Sequence, residues 1–492
     1  MRRWLRWRVY IHFSLSLSKQ KAMLPPNAMF VKLLMGFMYL NVMVNHGESS
    51  YAGAAGTYHD QMRRMALMMK PSHTIQNKVS SGSRVHHVTE YGADPTGRLD
   101  STGALQEAIS DAFASPLDDG HLIEGVADLG GTEVHLDGGT YKISRPLRLP
   151  DTGGGNFMIH GGSLHASDDF PTDRHLIELW SSSNSFVYED ITLKDLMMNS
   201  NFRGGGIAVI NSLRTTIDNC YISHFTTSGI LIQGGHETYV RNSFIGQHIN
   251  IGGDHRERNF SGIGINIQGN DNAITDVVIF SASIGVMVQG QANVLTGVHC
   301  YNKATGWGGT GIYVRAPGLT QTRILNSYFD FTGIVAEDPV QLHIAGSFFL
   351  GNAFILIKSL KGVACGISIV DNMFSGDYTG VPIVQLDQSN GQYFTTIDQV
   401  MVDRNVVQGM VLKSTVAKGS VWSNGTRWTV DFSKLLLFPD LIQNVQYTLH
   451  ASESFPKHVL RNVSSNRVTV ESDVPVSATL RVSVDQSMMG YV

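Results

Sequence analysis

The segments Asp218-Asn219-Cys220-Tyr221, Arg241-Asn242-Ser243-Phe244 and Leu325-Asn326-Ser327-Tyr328 repeat one pattern, in which an asparagine stands shortly before an aromatic residue. Variants of the pattern follow at Ala345-Gly346-Ser347-Phe348 and Asp371-Asn372-Met373-Phe374. Successive units lie about 20 to 35 residues apart, which is the period of a solenoid. The central part of the chain is therefore predicted to consist of stacked repeats.

A second element recurs inside the same region, as Ile230-Leu231-Ile232-Gln233-Gly234, Ile265-Asn266-Ile267-Gln268-Gly269 and Val286-Met287-Val288-Gln289-Gly290. Apolar residues that alternate over four or five positions before a glycine indicate short strands. Each unit is too small to bury its apolar face alone, so it must stack on its neighbours. We therefore predict an all-β chain that folds as a right-handed parallel β-helix.

Composition sets limits on the class of protein. The chain has 492 residues, of which 42% are hydrophobic and 16% charged, with 51 glycines, so it can bury a large core and is rich in turns. A formal net charge of −4 favours neither nucleic acid nor an anionic membrane surface as a partner. The three cysteines are too few for a disulfide framework. They are either buried thiols or one disulfide with a free thiol, and no metal-ligand spacing is present.

The N-terminal segment 1–54 is predicted to direct the chain for export. Residues 33 to 44 form an apolar core whose length suits a signal peptide better than a membrane span, and Met29 is a plausible true start. Ala52-Gly53-Ala54 is a candidate cleavage site, and an uncleaved anchor is the alternative. Glycosylation sequons begin at Asn259, Asn424 and Asn462. We expect an extracellular, cell-wall protein that meets a membrane only through its signal.

The remaining chain divides into three predicted parts: a linker or propeptide at 55–84, a β-helix catalytic domain at 85–409 and a β-rich C-terminal cap domain at 410–492. Ala104 to Phe113 has the pattern of an amphipathic helix, with Asp100 or Ser101 as its N-cap, and would cover the first coil. Longer alternating strands are predicted near the C-terminus, at Trp428 to Phe432, Val445 to Leu449, Arg467 to Val470 and Ala478 to Val484.

Two groups of motifs resemble known families. Tyr91-Gly92-Ala93-Asp94-Pro95-Thr96-Gly97 with Asp100-Ser101-Thr102 resembles the opening of the pectate-lyase-like superfamily, whose members are right-handed β-helices. Residues 85 to about 490 resemble the plant Quartet-three-type polygalacturonases. The resemblance rests on segments 207–215, 236–239, 246–249, 290–293 and 335–341. This resemblance implies a secreted hydrolase of pectic polygalacturonan, with no cofactor, that degrades the pollen mother cell wall so that pollen grains separate.

The sequence departs from ordinary polygalacturonases at the catalytic motifs. Those enzymes carry an Asn-Thr-Asp strand, an Asp-Asp pair, a Gly-His-Gly turn and an Arg-Ile-Lys motif, and this chain has none of them in that order. Asp168-Asp169 precedes the repeats, Gly235-His236-Glu237 only echoes the histidine turn, and Arg323-Ile324-Leu325 lacks the lysine. The catalytic residues must therefore be sought by geometry.

Glycoside hydrolysis needs two carboxyl groups about 5 Å apart for retention or about 6.5 to 9.5 Å apart for inversion. Adjacent coils of a β-helix stack at about 4.8 Å, which is compatible with such a pair. If Gln233 and Gln268 occupy equivalent positions, Glu237 and Asp271 become neighbours and are the first catalytic candidates. The next coil is expected to continue the polar row with Asn293. The alternative is that these are solvated turn residues.

The longest insertion, 247–262, separates those two coils. It contains Asp254, a further catalytic candidate, and the cations Arg256 and Arg258, which could orient an anionic galacturonan. The remaining candidate substrate-binding residues are His236, Gln268 and His299, although a lone turn histidine is more often structural. Glu337-Asp338 before Pro339 is interpreted as a plain turn.

Three functions remain in competition. The first is a monomeric polygalacturonase that acts with a carboxylate acid and a carboxylate base. The second is a pectate lyase, in which Ca²⁺ bridges uronates to recruited carboxylates such as Asp254, Asp271 and Asp276. The third is a non-catalytic pectin-binding β-helix, since fold alone does not decide function.

Overall fold

A computed structural model describes residues 84–114, 120–180, 185–248, 260–301, 309–452 and 454–487. The predicted targeting segment 1–54, residues 55–83 of the predicted linker and the sequon asparagine Asn259 lie outside the described residues. Within those ranges, no helix combines the length and the apolar character that a membrane crossing requires.

The first coils contain an α-helix. The elements in chain order are β1 (Val85–His87), a 3-10 turn (Val88–Tyr91), β2 (Thr96–Asp100), α1 (Thr102–Phe113), β3 (His121–Ile123), β4 (Val126–His135), β5 (Thr140–Ile143), β6 (Leu147–Arg148), β7 (Gly154–Ala166), β8 (His175–Leu179) and β9 (Tyr188–Asn199). Ser101 is the N-cap of α1, and Asp100 accepts a hydrogen bond from the Thr102 amide at 3.0 Å. Leu105, Ile109 and their neighbours bury the apolar face of α1 in the main core, which confirms the predicted cap helix.

The repeats follow as β10 (Gly205–Ile210), β11 (Ser212–Leu213), β12 (Thr216–Asp218), β13 (Tyr221–Ser223), β14 (Ser228–Gln233), β15 (Tyr239–Arg241), β16 (Phe244–Gly246), β17 (Ile263–Gln268), β18 (Ala273–Thr275), β19 (Val278–Ser281), β20 (Ile284–Val288), β21 (Val294–Thr296), β22 (His299–Cys300), β23 (Gly309–Val314), β24 (Thr322–Leu325), β25 (Tyr328–Asp330), β26 (Thr332–Glu337), β27 (Val340–Ala345), β28 (Phe348–Leu350), β29 (Ile355–Lys358), β30 (Val363–Val370), β31 (Met373–Ser375), β32 (Val384–Asp387), β33 (Thr396–Asp403) and β34 (Val406–Gln408).

These strands form two long sheets. A ten-stranded sheet contains, in order, β6, β8, β10, β14, β17, β20, β23, β26, β29 and β32, all in parallel register. The other strands of the coils form a second sheet, to which most coils contribute two short strands. Inward-facing isoleucines and valines stack from coil to coil and form one core. The predicted right-handed parallel β-helix is confirmed.

Each coil of the repeats contains two turns that recur in register. The first turn joins a strand of the ten-stranded sheet to the second sheet, and the second turn is a pair of residues between two strands of the second sheet. A residue with positive φ stands in both, for example Glu237 in the first turn and Asn242 in the second. The register predicted for the last repeat motif is wrong by one residue, because Met373, not Phe374, pairs with Phe348. The error arose because Asn372 follows the left-handed position, which Asp371 occupies.

The C-terminal strands β35 (Val416–Asp431), β36 (Asn444–Ala451), β37 (His458–Ser464) and β38 (Arg467–Asp485) form a four-stranded antiparallel sheet with its own core. The strands predicted at 467–470 and 478–484 are parts of the single strand β38, which pairs with the other three. The connection between β35 and β36 joins the cores. Leu436 packs into the C-terminal core, whereas Leu437 and Phe438 pack into the core of the β-helix.

The three cysteines are free thiols. Cys220 and Cys300 are buried in the strand stack, and burial raises the pKa of the Cys220 thiol to about 12. Cys365 is half-buried. The interpretation as buried thiols is confirmed for two of the three, and the alternative of one disulfide is wrong.

Candidate active site

The alignment of two glutamines fixes the register of the candidate site. Gln233 at the end of β14 pairs with Gln268 at the end of β17, as the repeat pattern predicted. The first turn after Gln233 is one residue longer, because Tyr239 pairs with Ala273 at the start of the next strands. Gly234, with φ of +63°, accommodates the extra residue in a left-handed conformation.

Glu237 and Asp271 consequently stand at equivalent positions of consecutive coils. The Thr238 amide donates to Oδ1 of Asn272 at 2.9 Å, and the Ala273 amide donates to the Thr238 carbonyl at 3.0 Å. Glu237 directly precedes Thr238, and Asp271 directly precedes Asn272; their φ angles are +55° and +59°. The backbones of the two residues thus follow the coil spacing of about 4.8 Å. The structure brings the predicted pair together.

Each carboxylate of this pair has a basic partner. Arg214, at the equivalent position one coil earlier, lies 3.8 Å from Glu237 and also forms an ion pair with the buried Glu189. Asp271 lies 3.2 Å from Nδ1 of His236, whose ring contacts Phe186 edge-on at 5.6 Å. About half of each carboxylate side chain is exposed, at 50% for Glu237 and 54% for Asp271. Each of these two solvent-accessible carboxylates therefore has a basic side chain beside it.

The polar row does not continue as predicted. Ala292, with φ of +57°, occupies the equivalent position in the following coil. Asn293 lies one position further on, fully buried, where its Oδ1 accepts hydrogen bonds from the backbone and side chain of Asn272. The expectation that Asn293 extends the exposed row is wrong, because the position after the left-handed residue points into the coil. The carboxylate pair ends the row on this side.

A second group of charges lies on the face of the ten-stranded sheet. Glu337 pairs with Lys358 in the neighbouring strand. Arg315, which follows β23, occupies the equivalent position one coil earlier, in the same row of strand ends as Gln268. Glu337 is only 5% exposed, accepts a hydrogen bond from the Tyr313 hydroxyl at 2.5 Å, and lies 3.6 Å from Lys358 and 3.8 Å from Arg315. Burial, together with this hydrogen bond, raises the pKa of Tyr313 to about 12.

The interpretation of Glu337-Asp338 as a plain turn holds for only one of the two residues. The Asp338 carboxylate is buried and accepts hydrogen bonds from the amides of Leu360, Lys361 and Val363, so it fixes the next turn. Glu337 instead belongs to the cluster on the sheet face. A carboxylate between two cations can orient them toward an anionic ligand.

Other candidates are not brought to the carboxylate pair. His299 lies on β22, stacked on Tyr328 at 5.6 Å in the second sheet. Asp276 is the second-turn residue of its coil, separated from Asp271 by the whole of β18. Asp254, Arg256 and Arg258 lie outside the described residues. The aspartates suggested for a Ca²⁺ site are thus not assembled within the part of the chain that the structure describes.

The site residues predicted from the sequence do not include Arg214, Glu189 or the cluster around Glu337. A signal for Arg214 was present, because it follows Ile210 by four residues, as Glu237 follows Gln233. The Glu337 cluster had no such signal, since its strands lack the Gln-Gly ending. Asn424 in β35 and Asn462 in β37, the sequon asparagines within the described ranges, are both exposed.

Comparisons with known proteins identify the family. The family model described as rhamnogalacturonase A/epimerase, pectate lyase-like, matches residues 85–311. Polygalacturonase QRT3 of Arabidopsis thaliana is 62% identical over 431 residues, which cover 87% of this chain and 89% of that protein. The chain belongs to the Quartet-three-type polygalacturonase family.

A solved structure supports the fold of this family member. ORF18 of Geobacillus virus E2 superposes with a TM-score of 0.52 at 12% identity, covering 83% of this chain and 79% of that one. The A-module of the mannuronan C-5 epimerase AlgE4 from Azotobacter vinelandii gives 0.47 at 16% identity, covering 66% and 90%. At this identity the first likeness shows a common fold and carries no information about the reaction.

Proposed function

We propose that this chain is a polygalacturonase that hydrolyses the α-1,4-galacturonan of pectin at Glu237 and Asp271. The observation that carries the proposal is the placement of these two carboxylates at equivalent positions of adjacent coils, in a chain of this family. Hydrolysis of a glycosidic bond requires one carboxyl group to protonate the leaving oxygen and another to assist the attacking nucleophile. The pair satisfies that requirement with no cofactor.

The surroundings of the pair suit an anionic substrate. Arg214 and His236 adjoin the two carboxylates, and Arg315 and Lys358 lie further along the edge of the same sheet. Guanidinium and ammonium groups bind carboxylates of uronate residues, and Gln268 offers an exposed amide between the two groups of cations. We therefore assign Arg315 and Lys358 to substrate binding, oriented by Glu337.

The proposal includes secretion to the cell wall and a part in separating pollen grains. The apolar core at residues 33–44, the exposed sequon asparagines Asn424 and Asn462, and the resemblance to the Quartet-three type support it. The net charge of −4 gives no support to nucleic acid as a partner. A monomer suffices, because both carboxylates belong to one chain.

The test measures reducing-end release from polygalacturonic acid by the secreted protein, with and without EDTA, and ultraviolet absorbance of the products. The double variant Glu237→Gln, Asp271→Asn is compared with wild type and with Glu337→Gln. We expect saturated products, no effect of EDTA and loss of release in the double variant. In Glu337→Gln, KM should rise more than kcat falls, because the variant disturbs cations that bind substrate.

Each other outcome would contradict a defined part of the proposal. Unsaturated products that require a divalent cation would identify a lyase. Undiminished release by the double variant would place the catalytic carboxylates elsewhere. A folded wild-type protein that binds polygalacturonic acid without cleaving it would be a binding module.

A further inference from the structure

A cluster of histidines lies in the first coils, at the corner of the coil where the second turns of the repeats are found. His87 of β1 pairs with His135 of β4, and His135 pairs with His160 of β7. Lys194 of β9 continues this column. Three histidines therefore occupy equivalent positions in successive layers, away from the first-turn column that contains Glu237.

Asp137 unites two of these histidines. Its Oδ1 lies 2.6 Å from Nδ1 of His87 and 2.8 Å from Nδ1 of His135. Its Oδ2 accepts hydrogen bonds from Thr89, at 2.8 Å from the hydroxyl and 3.4 Å from the amide. Thr89 thus orients the carboxylate so that one oxygen faces both imidazoles. Partners that fix a ligand in this way are typical of the surroundings of metal sites.

The orientation of His135 is fixed as well. Gly161 has φ of +81°, and a Cβ atom at this position would lie 2.9 Å from Nε2 of the His135 ring. The edge of the ring that carries Nε2 therefore packs against a backbone that only glycine leaves open, and Nδ1 faces Asp137. Among the residues that the structure describes, His87, His135 and Asp137 are the one group of three with ligand atoms within 4.8 Å of one another.

We propose that His87, His135 and Asp137 form a binding site for a divalent transition metal of the Zn²⁺ class. The ligand atoms are Nδ1 of both histidines and Oδ1 of the aspartate, and water completes the coordination. Imidazole nitrogen and carboxylate oxygen bind Zn²⁺ at about 2.0 to 2.2 Å in a tetrahedron, so neighbouring ligand atoms stand about 3.3 Å apart. The present contacts need to open by about half an ångström.

Metal binding requires a free lone pair on Nδ1 of each histidine. The proton that each neutral imidazole shares with Asp137 through Nδ1 moves through solvent to Nε2 of the same ring, and the Nδ1 lone pair then binds the metal while the ring stays neutral. The bound cation would tie β1, the first described strand, to β4 in the next layer. This site does not depend on the proposed polygalacturonase activity, because none of its residues belongs to the candidate active site.

The test is calorimetric titration of the EDTA-treated, dialysed full-length protein with ZnCl₂. We expect one equivalent to bind, and Asp137→Asn or His87→Gln to weaken that binding at least tenfold. His86→Gln is the matched control, because the neighbouring His86 contacts the Tyr91 hydroxyl at 2.7 Å instead. Equal Zn²⁺ affinity in wild type and both site variants, or no binding by the wild type, would overturn the proposal.

A second measurement guards against loss of binding through misfolding. Circular dichroism should show the same strand content in wild type and Asp137→Asn, and a variant that fails this check is replaced by His87→Gln. Zn²⁺ should raise the melting temperature of wild type and of His86→Gln but not that of the site variants, because a ligand stabilises only a protein that it binds. Co²⁺ should give visible absorption bands in wild type that are absent in the site variants, and equal bands in both would contradict the assigned ligands.

Discussion

The two turns of each coil solve the same backbone problem with different residues. Both contain a left-handed residue in nearly every repeat, at Arg214, Glu237, Asp271, Ala292 and Gln321 in the first turn and at Asn219, Asn242, Asp276, Gly297 and Asn326 in the second. The second turn is two residues long, and its left-handed residue is in most coils asparagine, aspartate or glycine, which tolerate this conformation. The first turn is longer, and its left-handed residues include arginine, glutamate, alanine and glutamine, which disfavour this conformation. Strain of this kind is concentrated at functional sites.

A buried residue follows the left-handed one in both turns. In the first turn Asn272 receives the Thr238 amide, and in the second turn Asn372 receives the Ser347 amide at 3.0 Å. The side chain of each also donates to an asparagine of the next coil. The inner halves of the turns are therefore alike, and only the outer halves differ. Function is expected where the outer residues vary from coil to coil.

The largest expected effect is a difference in hydrolytic activity between variants of an outward-facing residue in the first turn and in the second turn. Glu237→Gln should reduce hydrolysis by about a hundredfold or more, since a general acid or base contributes about 10²- to 10⁴-fold. Asp276→Asn, which removes a charge from a second turn one coil away, should leave kcat unchanged. The measurement is the initial rate on polygalacturonic acid for both variants. Equal losses in the two variants would remove the functional distinction between the turns.

The buried side chain of His175 should make the stability of the fold depend on pH, separately from any pH dependence of activity at Glu237 and Asp271. Burial lowers the pKa of His175 to about 4, and among the described residues its Nε2 has no hydrogen-bond partner. The unfolded chain binds a proton at His175 at a higher pH than the folded protein does. The free energy of unfolding is therefore not reduced by this group above pH 6.5, and it falls as the pH drops from 6.5 toward 4. The loss should reach about 3 kcal/mol at pH 4.

The check on this prediction is urea unfolding of wild type and His175→Gln at several pH values between 4 and 7.5. The free energy of unfolding of the variant should depend less on pH over this range, whatever its absolute stability. If both proteins show the same slope, His175 is not the group responsible. Any acid loss of the proposed hydrolysis can then be compared with acid unfolding on one pH scale.

The inner residues of the two turns should behave alike. Asn272→Ala and Asn372→Ala each leave a buried amide of the preceding coil without its acceptor, so each should lower the free energy of unfolding by about 2 kcal/mol. Denaturant unfolding of the two variants measures this directly. A large difference between them would show that the two turns differ on the inside as well.

The smallest effect is expected from the exposed pair in the last second turns. Arg404 contacts Asp371 through two hydrogen bonds of 2.9 Å, but both side chains are more than half exposed. Water and salt weaken such a pair, so Arg404→Ala should leave the unfolding midpoint nearly unchanged. Thermal unfolding at low and high salt provides the measurement. A clear drop confined to low salt would give this surface pair a structural role.

The sequence predicts the coil register where strands end alike. Gln233 and Gln268 align as expected, and the neighbouring positions of Glu237 and Asp271 follow from them. The prediction fails by one residue at Asn293 and Asn372. In these coils the left-handed position is occupied by Ala292 and Asp371, and the asparagine stands one position later. A periodic signal locates a coil but does not identify which turn residue points outward.

The candidate site was predictable only in part for a related reason. Glu337, Lys358 and Arg315 meet on the sheet face because their strands stack in parallel register. They lie about 20 residues apart in sequence and share no local motif. His299 was singled out by residue type alone, and the stacking of its strand places it beside Tyr328. Pairing between distant strands decides such neighbours, and local sequence does not record it.

Leu436 packs in one core and its neighbours Leu437 and Phe438 pack in the other, which bears on how the chain avoids polymerising. The last coil of a parallel β-helix ends in unpaired backbone groups that could template the first coil of another molecule. Leu437 and Phe438 pack into the core of the β-helix while Leu436 packs into the core of the C-terminal sheet, so this connection ties the C-terminal sheet to the β-helix. We expect a chain shortened before this segment to lose that tie and to associate with other copies through exposed strand edges.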